Sequence, residues 1–280
     1  MLSAAGHRAG WPVAKGGTQS ISNAMIALLE SHEGTVKTGV TVTSLDQLRE
    51  LDGGAPDIVM LDTSPDAVVR IVGEKLPGRV RRSMTRYKYG PAVHKVDFAI
   101  EGDVPWTNPD ARRAGILHLG GTAVEIVSME LATARGEMPE RPFVLVGQQY
   151  LADASRSVGT TNPLWAYAHV PHGYSGDATE AVIGQIERFA PGFREQIVAV
   201  HTRSASQMAT YNPNHVGGDI GTGAKHRQTD RATTTRRPEP LQDRRTRRLP
   251  LLLSHPARTR RTRHVRVQRR GDRTGETLAR

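Results

Sequence analysis

The sequence has no cysteine, and this absence limits its chemistry. Because none of the 280 residues is Cys, disulfide bonds, thiolate metal sites and a cysteine nucleophile are excluded. No apolar run approaches the length of about 18 residues that a membrane span needs, and residues 1–20 lack the apolar stretch of a signal peptide. We therefore expect a cytoplasmic protein with no transmembrane segment.

The positive charge of the chain is concentrated at one end. Residues 225–280 hold 18 of the 38 Lys and Arg and 5 of the 28 Asp and Glu, which leaves 20 and 23 for residues 1–224. The tail therefore carries a net charge of +13 and the body one of −3. Since the tail has no Phe, Tyr or Trp to stack on bases, we favour a disordered, solvated tail over a nucleic-acid-binding segment.

The first part of the chain alternates helix and strand patterns. Residues 18–32 have an apolar face at helical spacing, and the β-branched run 36–45 predicts one or two short strands. Residues 57–62 form an apolar run typical of a strand buried on both faces, and Ser64-Pro65 marks the start of another helix. This order predicts an α/β unit with mostly parallel strands.

From about residue 89 the pattern changes to strands with long connections. We predict strands over residues 92–100, 114–120, 142–148 and 164–170. Residues 122–125 and 177–180 each have the spacing of a capping box that opens a helix. The second part is therefore expected to be an α+β domain with a mixed sheet.

Several segments together resemble one enzyme family. GWPVAKGG, VKTGVTVTSL and DIVMLDTSP, followed by YKYGPAVHKVDFAI, AGILHLGGTAVEI, LWAYAHVPHG and YNPNHVGGDI, occur in the order found in the FAD-dependent phytoene desaturase-like oxidoreductases, which are related to the amine oxidases. The resemblance covers residues 6–224. It implies a flavoprotein that moves a hydride between an apolar small-molecule substrate and FAD, with no metal.

The resemblance also implies a domain order. It predicts a partial Rossmann-type FAD-binding domain over residues 1–88, a substrate domain over 89–210, a return to the FAD domain over 211–224 and the basic tail over 225–280. It places six residues beside the cofactor: Val42, Thr63, Ser64, Pro65, Gly218 and Asp219. It assigns no catalytic residue, because the flavin itself carries the difficult chemistry in such enzymes.

Two departures from the family affect the function. The sequence contains no G-x-G-x-x-G turn, which holds the FAD pyrophosphate in the family, so the resemblance predicts that Met1 lies downstream of that unit. Codons permitted for residues 238–268, read one nucleotide later, can encode the family's closing segment. We therefore expect a frameshift near residue 225. The alternative to an active oxidoreductase is a non-catalytic fragment or pseudogene product without FAD, and a basic-tailed nucleic-acid-binding protein is a third hypothesis.

Other polar and aromatic residues have two interpretations each. His169 and His172 could form a metal or acid–base pair, and His94 with Lys95 could approach a flavin, although we favour structural roles. Three carboxylates could form an acid–base set: Asp62, Asp97 and Asp219. The large aromatic residues of the second part are expected to belong to the core rather than to a substrate site: Trp106, Tyr150, Trp165 and Tyr167.

Overall fold

A five-stranded antiparallel sheet forms the centre of the fold. The computed structural model describes residues 6–8, 10, 12–52, 54, 56–223 and 251–253. In it the strand order is β3-β4-β5-β2-β6, and every neighbouring pair is antiparallel. The strands are β2 (Ala92–Glu101), β3 (Ile116–Leu119), β4 (Val144–Gly147), β5 (Thr161–Val170) and β6 (Ile197–Arg203).

Two further short strands pair in parallel. They are β1 (Val59–Leu61) and β7 (Leu251–Leu253). The helices are α1 (Gln19–Glu30), α2 (Leu45–Asp52), α3 (Pro65–Val72), α4 (Gly78–Thr85), α5 (Ala123–Ala134), α6 (Thr179–Glu187) and α7 (Ala205–Tyr211). These elements all lie within residues 11–256, and of the other unit, residues 1–10 and 257–280, only the helical residues 6–8 and residue 10 are described.

The main core lies on one face of the large sheet. Along β2, buried Val96, Phe98 and Ile100 alternate with half-exposed Lys95 and Asp97 on the opposite face. Helix α6 packs against the buried face through side chains that include Val182 and Ile186. Burial of each such side chain contributes about 1.5–3 kcal/mol before the entropy cost of ordering it.

A second, smaller core lies around helix α3. Its buried members include Leu61 from β1, Val68 and Ile71 from α3, and Met84 from α4. Ser64 forms the N-cap of α3, because its side chain accepts a hydrogen bond from the backbone N–H of Ala67 at 3.3 Å. The two cores divide near residue 88, but the predicted domain boundaries stay a prediction.

Most local predictions for helices and strands are confirmed. Helix α1 follows Thr18, α3 begins at Pro65, and the four strands predicted after residue 89 are present. The capping box of Thr122 and Glu125 is also present at the start of α5. Short-range signals such as caps, an N-terminal proline and strict alternation are therefore reliable here.

Several predictions about the first part are wrong. The β-branched residues 36–44 form no strand, and Leu45 instead begins helix α2. Strand β1 is not buried on both faces, since Met60 is exposed. Both errors have one physical cause: a strand needs neighbours on its edges and faces, and a single sequence does not show whether they exist.

The predicted sheet types also need correction. The five-stranded sheet is antiparallel throughout rather than mixed, and within the described ranges the parallel pairing is confined to β1 and β7. The pairing therefore gives no support to a Rossmann-type sheet. The inward–outward alternation along β5 is the pattern expected of an antiparallel sheet with one face on the core.

Two further corrections concern α6 and the tail. Ala178 precedes α6 without a side-chain cap, and Asp177 Oδ1 accepts from the N–H of Thr179 instead, so residues 177–180 form no capping box. In the predicted disordered tail, residues 251–253 form strand β7. Residues 225–250 and 254–280 lie outside the described residues.

Candidate functional site

Four segments that are distant in sequence meet at one place, which we call the glycine junction. It comprises residues 63–66, 87–90, 171–173 and 212–223. The backbone N–H of Ser64 donates to Oδ1 of Asn214 at 2.8 Å, and that of Gly173 donates to the carbonyl oxygen of Gly217 at 2.8 Å. The hydroxyl of Tyr87 donates to the carbonyl oxygen of Thr222 at 2.6 Å.

Asp219 holds the junction together. Its side chain is buried, and its two carboxylate oxygens accept three backbone hydrogen bonds. Oδ2 accepts from Gly90 at 2.6 Å and from Gly223 at 2.8 Å, while Oδ1 accepts from Gly221 at 2.7 Å. Because these donors compensate for the lost hydration of the carboxylate, Asp219 closes the glycine-rich segment onto the start of β2.

The glycines of the segment allow a close approach between backbones. Gly218 is buried with φ of +86°, and a Cβ there would lie 2.7 Å from Cβ of Ala205 and 2.9 Å from Cβ of Ala92. Any side chain at 218 would therefore push the segment away from β2 and α7. Packing accounts for this glycine, and its contact with a cofactor stays a prediction.

Three buried polar atoms near the junction make no well-aligned hydrogen bond. They are Oγ1 of Thr63, the hydroxyl of Tyr89 and Nδ1 of His215. Leaving such an atom unpaired costs about 1–3 kcal/mol, so each indicates a place where a water molecule or a polar ligand group can bind. Two of these three residues are sequence neighbours of the Ser64–Asn214 contact: Thr63 precedes Ser64, and His215 follows Asn214.

Burial and nearby carboxylates set the electrostatics of these groups. Burial raises the pKa of the Tyr89 hydroxyl to about 12, and the Asp66 carboxylate adds to this effect. Burial also lowers the pKa of His215, while Asp219 opposes that change. Both side chains are therefore neutral near pH 7 and offer neutral hydrogen-bonding groups.

The structure separates one predicted cofactor residue from the others. Thr63, Ser64 and Pro65 lie in the junction with Gly218 and Asp219. Val42 instead packs against the core around α3, in the irregular segment before α2. Its predicted contact with a cofactor stays a prediction.

The paired histidine hypotheses are not supported by the contacts. His169 Nδ1 lies 2.7 Å from Oε1 of Glu130, whereas His172 Nδ1 lies 3.1 Å from the carbonyl oxygen of Gly90. His94 is buried on the core face, where Nε2 lies 3.1 Å from Oγ1 of Thr179. Its neighbour Lys95 lies on the opposite face of the sheet, so these two side chains cannot approach the same ligand atom.

The three carboxylates have different surroundings. Asp97 pairs with Lys95 on the face of the sheet opposite the main core, which we call the open face. Asp219 is enclosed by backbone amides. Asp62 is exposed immediately after β1. The structure therefore does not assemble them into an acid–base set. In the part of the chain that the structure describes, no group of three His, Asp or Glu side chains forms a metal site.

The aromatic residues of the second part divide between two locations. Trp106 and Tyr150 are buried in the core, as predicted, but Trp165 and Tyr167 are half-buried on the open face of the sheet. There Tyr167 is 6.0 Å from Trp165 and 6.1 Å from His169 between ring centroids. This face offers flat apolar surface beside Lys95 and Asp97.

Sequence reasoning missed several junction residues. Gly90, Asn214 and His215 were not selected, and Tyr89 was noted only as part of a motif. The signals were weak: a glycine that ends YKYG, and a turn-forming NPNH.

Within the described ranges no helix is long and apolar enough to cross a membrane.

Comparison with known proteins adds no relative to this description. No protein-family model matches the chain, and no curated protein shows significant similarity to it.

Proposed function

We propose that the chain derives from an FAD-dependent oxidoreductase of the phytoene desaturase-like class. The observation that carries the proposal is the hydrogen bond of 2.8 Å between the N–H of Ser64 and Oδ1 of Asn214. It joins two segments, 150 residues apart, that the sequence resemblance places beside one cofactor. Random placement of two such segments would not be expected to bring them into contact.

The residues at the glycine junction fit part of such a cofactor. The polar atoms of Thr63, Tyr89 and His215 that make no well-aligned hydrogen bond can bond to polar groups of a ligand. The sequence supplies no G-x-G-x-x-G turn for the pyrophosphate. The fit therefore concerns the polar groups of the cofactor other than its phosphates.

When bound, FAD supplies the redox chemistry by exchanging a hydride with a substrate C–H bond. The chain's own residues have other tasks. Thr63, Ser64, Pro65 and Gly218 would hold the cofactor, and Asp219 would keep the glycine-rich segment in place. The open face of the sheet, with Trp165 and Tyr167, would take an apolar substrate and exclude water from it.

Removal of the unpaired hydroxyl groups tests the proposal. Thr63→Val and Tyr89→Phe each delete a hydroxyl that makes no well-aligned hydrogen bond in the free protein. We expect each to weaken FAD binding about tenfold, as for one lost hydrogen bond, while the stability of the free protein stays equal or rises. FAD binding is measured by fluorescence titration and stability by urea unfolding.

Tyr150→Phe is the matched control for this experiment. Its hydroxyl is also buried without a well-aligned hydrogen bond, but it belongs to the main core rather than to the junction. We expect Tyr150→Phe to leave FAD binding unchanged. Equal losses in all three variants, or none in the two junction variants, would contradict the proposed site.

A second hypothesis is that the chain is non-catalytic and does not retain FAD. Helix α1 favours it, because Met25 and Leu28 are 67% and 61% exposed on an apolar face without cover among the described residues. A chain with such surface is expected to associate or aggregate. Failure of the wild-type chain to bind FAD in the same titration would support this hypothesis over the first.

A further inference from the structure

His172 stands at the edge of the glycine junction in a fixed orientation. It follows β5 in a turn where the N–H of Tyr174 donates to the carbonyl oxygen of Pro171 at 3.0 Å. The next residue, Gly173, donates to the carbonyl oxygen of Gly217 at 2.8 Å. The turn is therefore closed by its own hydrogen bond and attached to the glycine-rich segment at Gly173.

The backbone of Gly90 determines the tautomer of this ring. Nδ1 of His172 lies 3.1 Å from the carbonyl oxygen of Gly90. A carbonyl oxygen can only accept a hydrogen bond, so Nδ1 must carry the proton. In the neutral ring Nε2 is then unprotonated and can act only as an acceptor.

Two neighbours hold the ring in place. Gly217 has φ of +61°, and a Cβ at this position would overlap the imidazole. The ring of Tyr89 lies nearly parallel to it, with 6.1 Å between centroids and 14° between planes. None of the hydrogen bonds among the described residues uses Nε2, and the side chain is exposed. The geometry thus presents one acceptor atom with a defined direction.

We propose that Nε2 of His172 accepts a hydrogen bond from an N–H or O–H group of the flavin bound at the glycine junction. This inference rests on the proposed function. The ring imide and the ribityl hydroxyls of a flavin are donors of this kind, and riboflavin carries them without the phosphates. His172 is then a residue that selects ligands with a donor at this point and rejects those with only acceptors, because two acceptors cannot pair.

His172→Asn is the informative substitution. Its amide can replace Nδ1 as the donor to the Gly90 carbonyl, but it has no atom at the place of Nε2. We expect about a tenfold loss of affinity, as for one hydrogen bond, with FAD and with riboflavin alike. His169→Asn is the matched control: this imidazole is engaged with Glu130 on the sheet, and its loss should leave both affinities unchanged.

A second measurement does not depend on ligand. Long-range ¹H–¹⁵N NMR of the free protein, recorded at a pH where imidazole is neutral, should show the His172 ring protonated at Nδ1 and unprotonated at Nε2. The opposite tautomer would overturn the inference. If the wild-type chain binds flavin and His172→Asn binds it equally well, only this inference fails. If the wild-type chain binds neither flavin, the proposed function fails, and so does the proposed contact between His172 and the flavin. The NMR result still reports the tautomer.

Discussion

The backbone N–H of Gly90 donates a hydrogen bond to Oδ2 of Asp219 over 2.6 Å, although the two residues are 129 positions apart. This contact attaches the glycine-rich segment to the beginning of β2. It connects the residues that the candidate site needs, and its removal is the most direct test of the architecture.

Asp219→Ala should destabilise the protein strongly. It leaves the buried N–H of Gly90 and the less buried N–H groups of Gly221 and Gly223 without their acceptor, so we expect a loss of about 3 kcal/mol in the free energy of unfolding. Urea unfolding measures it. Asp110→Ala is the control, because its exposed pair with Arg113 contributes less than about 0.5 kcal/mol. Similar losses in the two variants would refute the role given to Asp219.

Gly217→Ala should lower the free energy of unfolding more than Gly159→Ala does, although the two glycines have almost the same φ. Gly217 and Gly159 have φ of +61° and +60°, so alanine at either pays about 1 kcal/mol of left-handed strain. At Gly159 a Cβ meets nothing within 4 Å, whereas at Gly217 it overlaps His172. We expect about 1–3 kcal/mol more for Gly217→Ala. Equal unfolding free energies for both variants would show that the ring is not held there.

Gly147→Ala should displace the indole of Trp165. A Cβ at Gly147 would overlap this ring, which lies over the glycine on the open face of the sheet. We expect a loss of about 1–3 kcal/mol in unfolding free energy and a shift of the tryptophan fluorescence. By contrast, Gly184→Ala in the exposed surface of α6 meets nothing and should stabilise the protein by about 0.5–1 kcal/mol. An unchanged spectrum in Gly147→Ala would contradict the described packing.

The stability of the protein should fall on acidification partly because of His94. Burial lowers the pKa of His94, and Asp177 opposes this only in part. Below about pH 6.5 an unfolded histidine binds a proton that buried His94 does not. The falling pH therefore stabilises the unfolded state relative to the folded state. The contribution of His94 is therefore present above this pH and is lost below it.

His94→Gln tests this pH dependence. Glutamine can still reach Oγ1 of Thr179, as Nε2 of the imidazole does, but it does not titrate. The difference in unfolding free energy between pH 7.5 and pH 5.5, about one unit on each side of the ordinary histidine pKa, should be smaller in the variant. His215 contributes in the same direction and stays as a background in both proteins. An unchanged difference would exclude His94 as a source.

Local features of the chain were readable without coordinates. Ser64 with Pro65, and Thr122 with Glu125, identified helix starts because a cap satisfies backbone donors within three residues. The alternation in β2 and β5 identified strands because one sheet face packs on the core. Strand β6 and helices α4 and α7 were missed, although Ser204 and Gln207 form a capping box at the start of α7.

The composition of the candidate site was readable only in part. Thr63, Ser64, Pro65, Gly218 and Asp219 were selected from a resemblance, and the structure brings their segments together. The resemblance could not show that Asn214 makes the connecting contact, or that Asp219 is occupied by three backbone amides. It also could not show that Tyr89 and His215 have buried polar atoms without a well-aligned hydrogen bond.

The amino-acid order alone established where most helices start, which runs are strands, the absence of thiol chemistry and the uneven charge. Each of these depends on neighbours in the chain or on composition. The antiparallel sheet, the exposed face of α1, the separation of Val42 from the junction and the tautomer of His172 depend on contacts between segments far apart in sequence. Such contacts are set by packing and hydrogen bonding across space, so only the folded arrangement could decide them.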